Sequence, residues 1–248
     1  MKEVKAKYVL GLTATPIRKD GHHPIIFMQC GPIRHRVSAR HAAAKRPFQH
    51  LVIPRETGLL MDTLEHSIHD VYQILIQNEP RNRQIVDDIM SALNSGCSPI
   101  VLTERVAHLN ALVSMLRART DSILVLRGGM NAGERAAARS ALSGNETERP
   151  RVILATGKFI GEGFDYSRLD ALFLAMPISW RGTLEQYVGR LHRLHEGKSE
   201  VRIYDYVDVS VPMLARMYSK RIRGYRAMGY SIQNDEEQLT LPSTRAPD

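Results

Sequence analysis

A chain of 248 residues with 43% hydrophobic and 24% charged residues has the balance of a soluble globular protein and is long enough for one or two domains with a sizeable core. Its formal net charge of +8 and sequence pI of about 9.7 point to a polyanionic partner. No apolar run reaches the roughly 20 residues of a membrane span. The opening MKEVKAKYVLGL lacks the apolar core of a signal peptide, and Cys30 and Cys97 make neither a disulfide framework nor a zinc pattern, so a cytoplasmic protein with no membrane partner is expected.

Residues 7–12, KYVLGL, read as a strand, stopped by Thr13, Thr15 and Pro16, since proline lacks the amide that a ladder would use. Residues 18–60 hold two predicted strands, one within RKDGHHPIIFMQCGPIRHRV and one within QHLVIPRETG, joined by the basic stretch SARHAAAKRP. The irregular spacing of Cys30, His22, His23, His35 and His41 fits basic surface loops better than a zinc site. Residues 59–77 and 83–93 have helical period, separated at Glu79 and Pro80 and ended by Ser95 and Gly96.

From Pro99 onward short apolar runs alternate with helical segments: IVLT, RVAHLNALVSMLRA, SILVL, AGERAAARSAL, RVILA, ALFLAM, TLEQYVGRLHRL and VRIYDYV. Continuous apolar runs are how parallel strands buried on both faces read, and the rhythm predicts right-handed crossovers in an α/β sheet. Ligands of such sheets lie beyond the carboxyl ends of the strands, which places the loop from Thr156 to Asp165 at the binding edge. In the helix expected over 183–193, Arg190 and Arg193 stand three apart on one face, where two guanidiniums can fork onto phosphate oxygens. Trp180 is read as packing, and His192 and His195 as surface.

Three of these segments, in order, resemble motifs of superfamily 2 helicases of the DEAD/DEAH type, a group that includes restriction subunits and repair helicases. Residues 11–16, GLTATP, look like motif III, which closes the first RecA-like domain. Residues 155–165, ATGKFIGEGFD, resemble motif V, and residues 186–193, QYVGRLHR, resemble motif VI. The resemblance runs from about residue 7 to about residue 208. It implies a three-layer RecA-like fold, a parallel sheet flanked by helices, divided as follows: 1–20 the end of a first RecA-like domain, 21–95 a linker region, and 96–210 the second, C-terminal helicase domain. A basic helix over 211–233 and a polar disordered tail over 234–248 complete the division.

The resemblance also implies site residues. Arg193 matches the arginine finger, Arg190 its companion and Gln186 the motif's polar coupling residue. Gly161, Gly163 and Asp165 would face the nucleotide. Thr156, Lys158, Thr103, Arg105, Gly128 and Gly129 would meet a nucleic-acid backbone, and Thr13 and Thr15 would couple the two functions. ATP and Mg2+ are implied only together with an N-terminal RecA-like lobe, because the sequence has no G-x-x-x-x-G-K-[ST]: before Gly197-Lys198-Ser199, His192 stands where the leading glycine belongs. Asp235-Glu-Glu-Gln238 imitates the acidic box in letters only. The expected partner is nucleic acid, bound without sequence preference and with DNA favoured. A rival reading stays open, in which the fold is a non-catalytic module that binds nucleic acid or another partner.

Overall fold

In the computed structural model, residues 7–13, 21, 23–61, 66–143, 150–157, 166–178 and 181–233 are described. In chain order their elements are α1 (His23–Cys30), α2 (Ala39–Ala44), β1 (Gln49–Glu56), α3 (Ile68–Gln77), α4 (Glu79–Asn94), β2 (Pro99–Thr103), α5 (Val106–Arg117), β3 (Ile123–Leu126) and α6 (Ala132–Ser143). They continue with β4 (Val152–Thr156), β5 (Ala171–Leu174), α7 (Arg181–Leu191), β6 (Glu200–Val207), α8 (Pro212–Ala227) and β7 (Ser231–Ile232).

The strands form one sheet in the order β3-β4-β2-β5-β6-β1-β7, and every pairing is parallel. Successive side chains of a strand point to opposite faces, and here both faces are buried. Ile100, Leu102, Ile153, Ala155, Leu172 and Leu174 enter one core, with Leu184, Val188 and Leu191 of α7 and Tyr225 near the end of α8. Val101, Leu154 and Phe173 enter the other, with Ile85 and Ile89 of α4 and Leu109 and Leu112 of α5. The result is the expected three-layer α/β architecture of RecA-like type, with helices on both faces of a parallel sheet.

Several boundaries differ from the sequence expectations. Residues 7–12 are not in a strand: Tyr8, Leu10 and Leu12 are more than 80% exposed, and among the described residues no neighbouring strand pairs with them. A β-segment needs a ladder partner to hold its amides, and apolar content alone does not supply one. The PIIFM stretch is helix α1, because a short apolar run does not distinguish strand from helix. Pro24 sits in its first turn, where the missing amide costs nothing, and Gly31, at φ 77°, closes it by donating to the Phe27 carbonyl at 2.8 Å.

The segment 21–95 is more than a linker. β1 lies in full register beside β6, from Gln49 opposite Glu200 to Glu56 opposite Val207, and α4 covers one sheet face. Arg55 of β1 clasps Asp88 of α4 with two bonds of 2.9 Å. Residues 59–61 are not helical. α3 begins at Ile68, where Ser67 and Asp70 form a capping box, and Asn78 caps α4 with Pro80 in its first turn. The segment 211–233 is likewise integral, since α8 packs on the shared core and β7 adds to β1. The tail over 234–248 lies outside the described residues.

Candidate functional site

All the strands run the same way, so their carboxyl ends share one edge. Thr103 ends β2 and Thr156 ends β4, and the two are paired across the ladder. Thr156 is 7% exposed, and its hydroxyl accepts from the Gly128 amide at 3.1 Å, which ties the turn after β3 to the end of β4. Gly129 takes φ 83°, a left-handed conformation that disfavours a side chain, so the paired glycines make a tight turn against Thr156. Four of the expected nucleic-acid residues, Thr103, Gly128, Gly129 and Thr156, are thus brought together on three adjacent strands.

Thr103 is turned inward. It is 2% exposed, its hydroxyl lies 3.1 Å from His108 Nδ1, and it accepts from the Arg105 amide at 3.3 Å. The His108 Nε2 lies 2.9 Å from Asn82 Oδ1. Burial, reinforced by the Arg81 charge, pushes the His108 pKa down to about 3, so the ring is neutral. Thr103 therefore holds the turn that presents Glu104 and Arg105. Arg105 is half-buried, its guanidinium 5.4 Å from the centre of the Tyr72 ring.

α7 carries the other expected residues. Leu184, Tyr187, Val188 and Leu191 face the core, which leaves Gln186 exposed and Arg190 half-exposed four residues later. The helix ends at Leu191, so Arg193 stands in the bend beyond it and not on the helix as expected over 183–193. That bend is held by Lys198. Its ammonium donates to the carbonyls of Leu191 at 3.1 Å, Arg193 at 2.8 Å and Ser167 at 2.7 Å. The last carbonyls of a helix lack intrahelical partners, and a buried cation there satisfies them. Burial lowers the Lys198 pKa to about 8, against the opposing charge of Asp170.

α7 also grips Gly157, the residue that follows β4. A side chain on Gly157 would collide with the hydroxyl of Tyr187, so the glycine is what lets the tyrosine approach. Burial, and then the Glu104 charge, pushes the Tyr187 pKa up to about 12, which keeps the phenol neutral. Gly157 through Tyr187, and Ser167 through Lys198, are therefore both tied to α7 and the bend that follows it. Leu102, Thr103, Glu104, Leu174, Met176, Ile178 and Tyr187 line a small depression between β2, β5 and α7.

Three side chains fix the path from β5 into α7. Arg81 donates to the Ala175 carbonyl at 2.8 Å, Tyr72 to Pro177 at 3.0 Å and Arg221 to Ile178 at 3.0 Å. Each arginine is held by a buried carboxylate: Arg81 by Asp208 at 3.2 Å, and Arg221 by Asp205 through two bonds of 2.8 and 2.7 Å. Burial alone would lower the Arg221 pKa, and the adjoining Asp205 outweighs it, so the charge stays fixed.

Lys158, Gly161, Gly163, Asp165, Thr15 and Trp180 lie outside the described residues. Thr13 is exposed and lies outside any strand or helix. His192 is not a surface residue. It is half-buried, its Nε2 lies 2.8 Å from the Tyr230 hydroxyl, and burial with the nearby Arg46 charge pushes its pKa down to about 3. Sequence reasoning passed over Tyr187, Lys198, Tyr72 and Arg81, and took Arg221 only as one cation of the basic helix over 211–233. Only Lys198 carried a signal, in the Gly-Lys-Ser triplet that fails as a P-loop. Among the described residues no three His, Cys, Asp or Glu side chains converge as metal ligands would.

No protein-family model matches the chain. A protein of Acanthamoeba polyphaga mimivirus, named as an ATP-dependent RNA helicase, is 23% identical over 238 residues, covering 94% of this chain and 44% of that protein. A Schizosaccharomyces pombe protein, named as the mitochondrial ATP-dependent helicase irc3, is 28% identical over 207 residues, covering 81% of this chain and 33% of its own length. The chain thus spans less than half the length of these relatives. The crystal structure of T4 UvsW superposes with a TM-score of 0.60 at 17% identity, over 75% of this chain and 41% of that one.

Proposed function

Since the chain carries the RecA-like C-terminal domain of the superfamily 2 helicases, we propose that it works as the C-terminal motor lobe of an ATP-dependent helicase or translocase acting on nucleic acid, with DNA favoured. In this reading an N-terminal RecA-like lobe holds the nucleotide and Mg2+. Arg190 and Arg193 close on the γ-phosphate from this side, and Gln186, Gly161, Gly163 and Asp165 complete the nucleotide face. Thr156, Lys158, Gly128, Gly129 and Arg105 form part of the nucleic-acid track, with Thr103 shaping the turn beside it. Thr13 and Thr15 couple the lobes.

The residues present fit one of the two implied ligands. A half-exposed Arg190 and an Arg193 in a fixed bend suit phosphate oxygens. The described residues supply no carboxylate set for Mg2+, whose site in this reading belongs to the other lobe. Bound nucleotide would supply the phosphoryl group and the leaving diphosphate, and the metal would neutralise the charge that develops on them. This chain's part is to place guanidiniums where negative charge develops, an effect worth about 10³ to 10⁵ in rate.

The observation that carries the reading is the pair of ties that α7 and the bend after it make to Gly157 and to Ser167. Tyr187 meets Gly157, the residue after Thr156, and Lys198 joins the carbonyls of Ser167 and Arg193. Nucleic acid felt at Thr156 can then be felt at Arg193, which is the coupling a motor lobe needs.

Joining the chain to an N-terminal lobe with a P-loop and an acidic box tests this. Nucleic-acid-stimulated ATP hydrolysis should appear, and Arg193→Ala should lower turnover by about 10³ or more while leaving the fold intact. Arg193→Lys keeps the charge without the planar fork and should also be strongly impaired. Near-normal turnover in Arg193→Ala would overturn the finger assignment and favour the binding-module reading.

A further inference from the structure

α8 contains five arginine and lysine residues and no aspartate or glutamate. Its exposed face concentrates them. Only Arg221 turns inward, neutralised by Asp205, while Arg216, Lys220, Arg223 and Arg226 are exposed and make no ion pair among the described residues. The spacings of four, three and three residues put these four cations on one side of the helix.

The stripe does not serve the helix. Cations near a helix C-terminus favour its dipole, which accounts for Arg226 in the last turn. Arg216 lies near the opposite end, where the dipole favours anions, and the first turn has no acidic residue. Like charges three and four apart repel, and no glutamate is interleaved to relieve them. The arrangement therefore costs the folded helix stability, and an external polyanion would relieve that cost.

Two further observations say which polyanion. The stripe is held rigidly, because the Arg221–Asp205 pair and the Tyr225 hydroxyl, 2.8 Å from Asp205, lock the inner face of α8 to β6. It also begins beside the candidate binding edge: β6 ends there at Val207, α8 starts at Pro212, and Leu184 of α7 packs on Gly224. Single strands are bound by basic grooves in which bases stack on aromatic side chains. Here Tyr225 is fully buried and Tyr218 lies half-buried beside the Arg221 guanidinium, so the outer face has charge without a stacking platform.

We propose that the exposed face of α8 is a second nucleic-acid surface that grips the phosphate backbone of duplex, separate from the strand-end loops. Arg216 and Arg226 are about 15 Å apart along the axis at about 1.5 Å per residue. Laid along a duplex, that length spans roughly four base-pair steps, at about 3.4 Å of helix axis per phosphate of one strand. The proposal rests on the motor-lobe reading and adds to it a hold on the duplex flanking the track.

The test uses the full 248-residue chain and fluorescence anisotropy with a mixed-sequence duplex and the corresponding single strand. The triple variant Arg216→Gln, Lys220→Gln, Arg223→Gln should weaken duplex binding at least about tenfold and make the log–log salt slope shallower by about 2.7, at about 0.9 per phosphate. Single-strand affinity should stay within about twofold, and the melting temperature should not fall, because like-charge repulsion is removed. Arg216→Lys with Arg223→Lys keeps the charges and should retain duplex binding. A triple variant that binds duplex as the wild type does overturns the proposal. So does wild type that binds single strand but not duplex, or that uses the stripe only for anionic vesicles, and these results leave the motor-lobe reading standing. A wild-type chain that binds neither nucleic acid removes the nucleic-acid track and the stripe together.

Discussion

The hydroxyl of Tyr187 occupies the space that a side chain on Gly157 would need. Two positions far apart in the chain therefore depend on each other: residue 157, just after β4, can lie against α7 only as glycine, and α7 keeps its depth only while Gly157 stays bare. Gly157→Ala should force α7 outward and destabilise the protein by about 1–3 kcal/mol, the usual cost of overpacking. Adding Tyr187→Phe removes the clashing atom and leaves the ring carbon, 3.2 Å from the new methyl, as the nearest neighbour. The double variant should recover part of the loss in urea unfolding. Additive losses would mean that the two residues do not share this contact.

Two histidines withdrawn from solvent, His108 fully and His192 in part, predict acid sensitivity. Burial pushes His108 and His192 from an ordinary 6.5 down to about 3 in the folded chain. The unfolded chain binds the extra protons first, so this stability is fully present above about pH 6.5 and is lost as pH falls toward about 3. Between pH 7 and pH 5 each histidine should contribute a loss of about 2 kcal/mol. His192→Gln can keep a hydrogen bond to Tyr230 but cannot titrate. Its loss over the same interval should be smaller than wild type by about that amount. An unchanged pH dependence in chemical denaturation would show that His192 titrates normally.

The sheet was legible because β2, β4 and β5 are continuous apolar runs, and only a strand buried on both faces needs that composition. α7 was legible for the opposite reason: Leu184, Tyr187, Val188 and Leu191 repeat at helical period with Gln186 and Arg190 between them. The segment 7–12 has strand composition, but the ladder partner that would make it a strand is a tertiary matter. Buried ions were invisible, since Arg81, Asp205, Asp208 and Arg221 look like surface charges until the fold brings them together. Arg221 shows this most clearly, because the residues around it in sequence form the exposed basic face of the same helix.

Arg221 and Asp205 are 3% and 1% exposed in their side chains and share two hydrogen bonds. Removing one partner of such a pair strands the other charge in a medium that solvates it poorly. Arg221→Met should cost about 3–5 kcal/mol and release the Ile178 carbonyl that guides the chain into α7. Replacing both, as Arg221→Met with Asp205→Leu, should cost less than Arg221→Met alone, because no isolated carboxylate remains. Equilibrium unfolding of the two variants decides it, and a double variant less stable than the single one would contradict the account.

Lys198 gives the sharpest prediction for the candidate site, because one ammonium serves three carbonyls from two segments. Lys198→Met keeps the length and apolar character of the stem and removes the ammonium, with its donors and its place 5.7 Å from the centre of the Phe48 ring. Each buried acceptor left unpaired carries a penalty, so the variant should lose about 1–3 kcal/mol of stability or more. The loss should also be local. Backbone amides over residues 188–195 should exchange with solvent faster than those of β2 or β4, because the end of α7 would fray while the sheet persists. Lys198→Arg restores donors but brings a larger, planar head that fits three convergent carbonyls less well, so it should recover only part of the protection. If Lys198→Met left exchange over 188–195 unchanged, the bend that carries Arg193 would be held by its own backbone and not by this lysine.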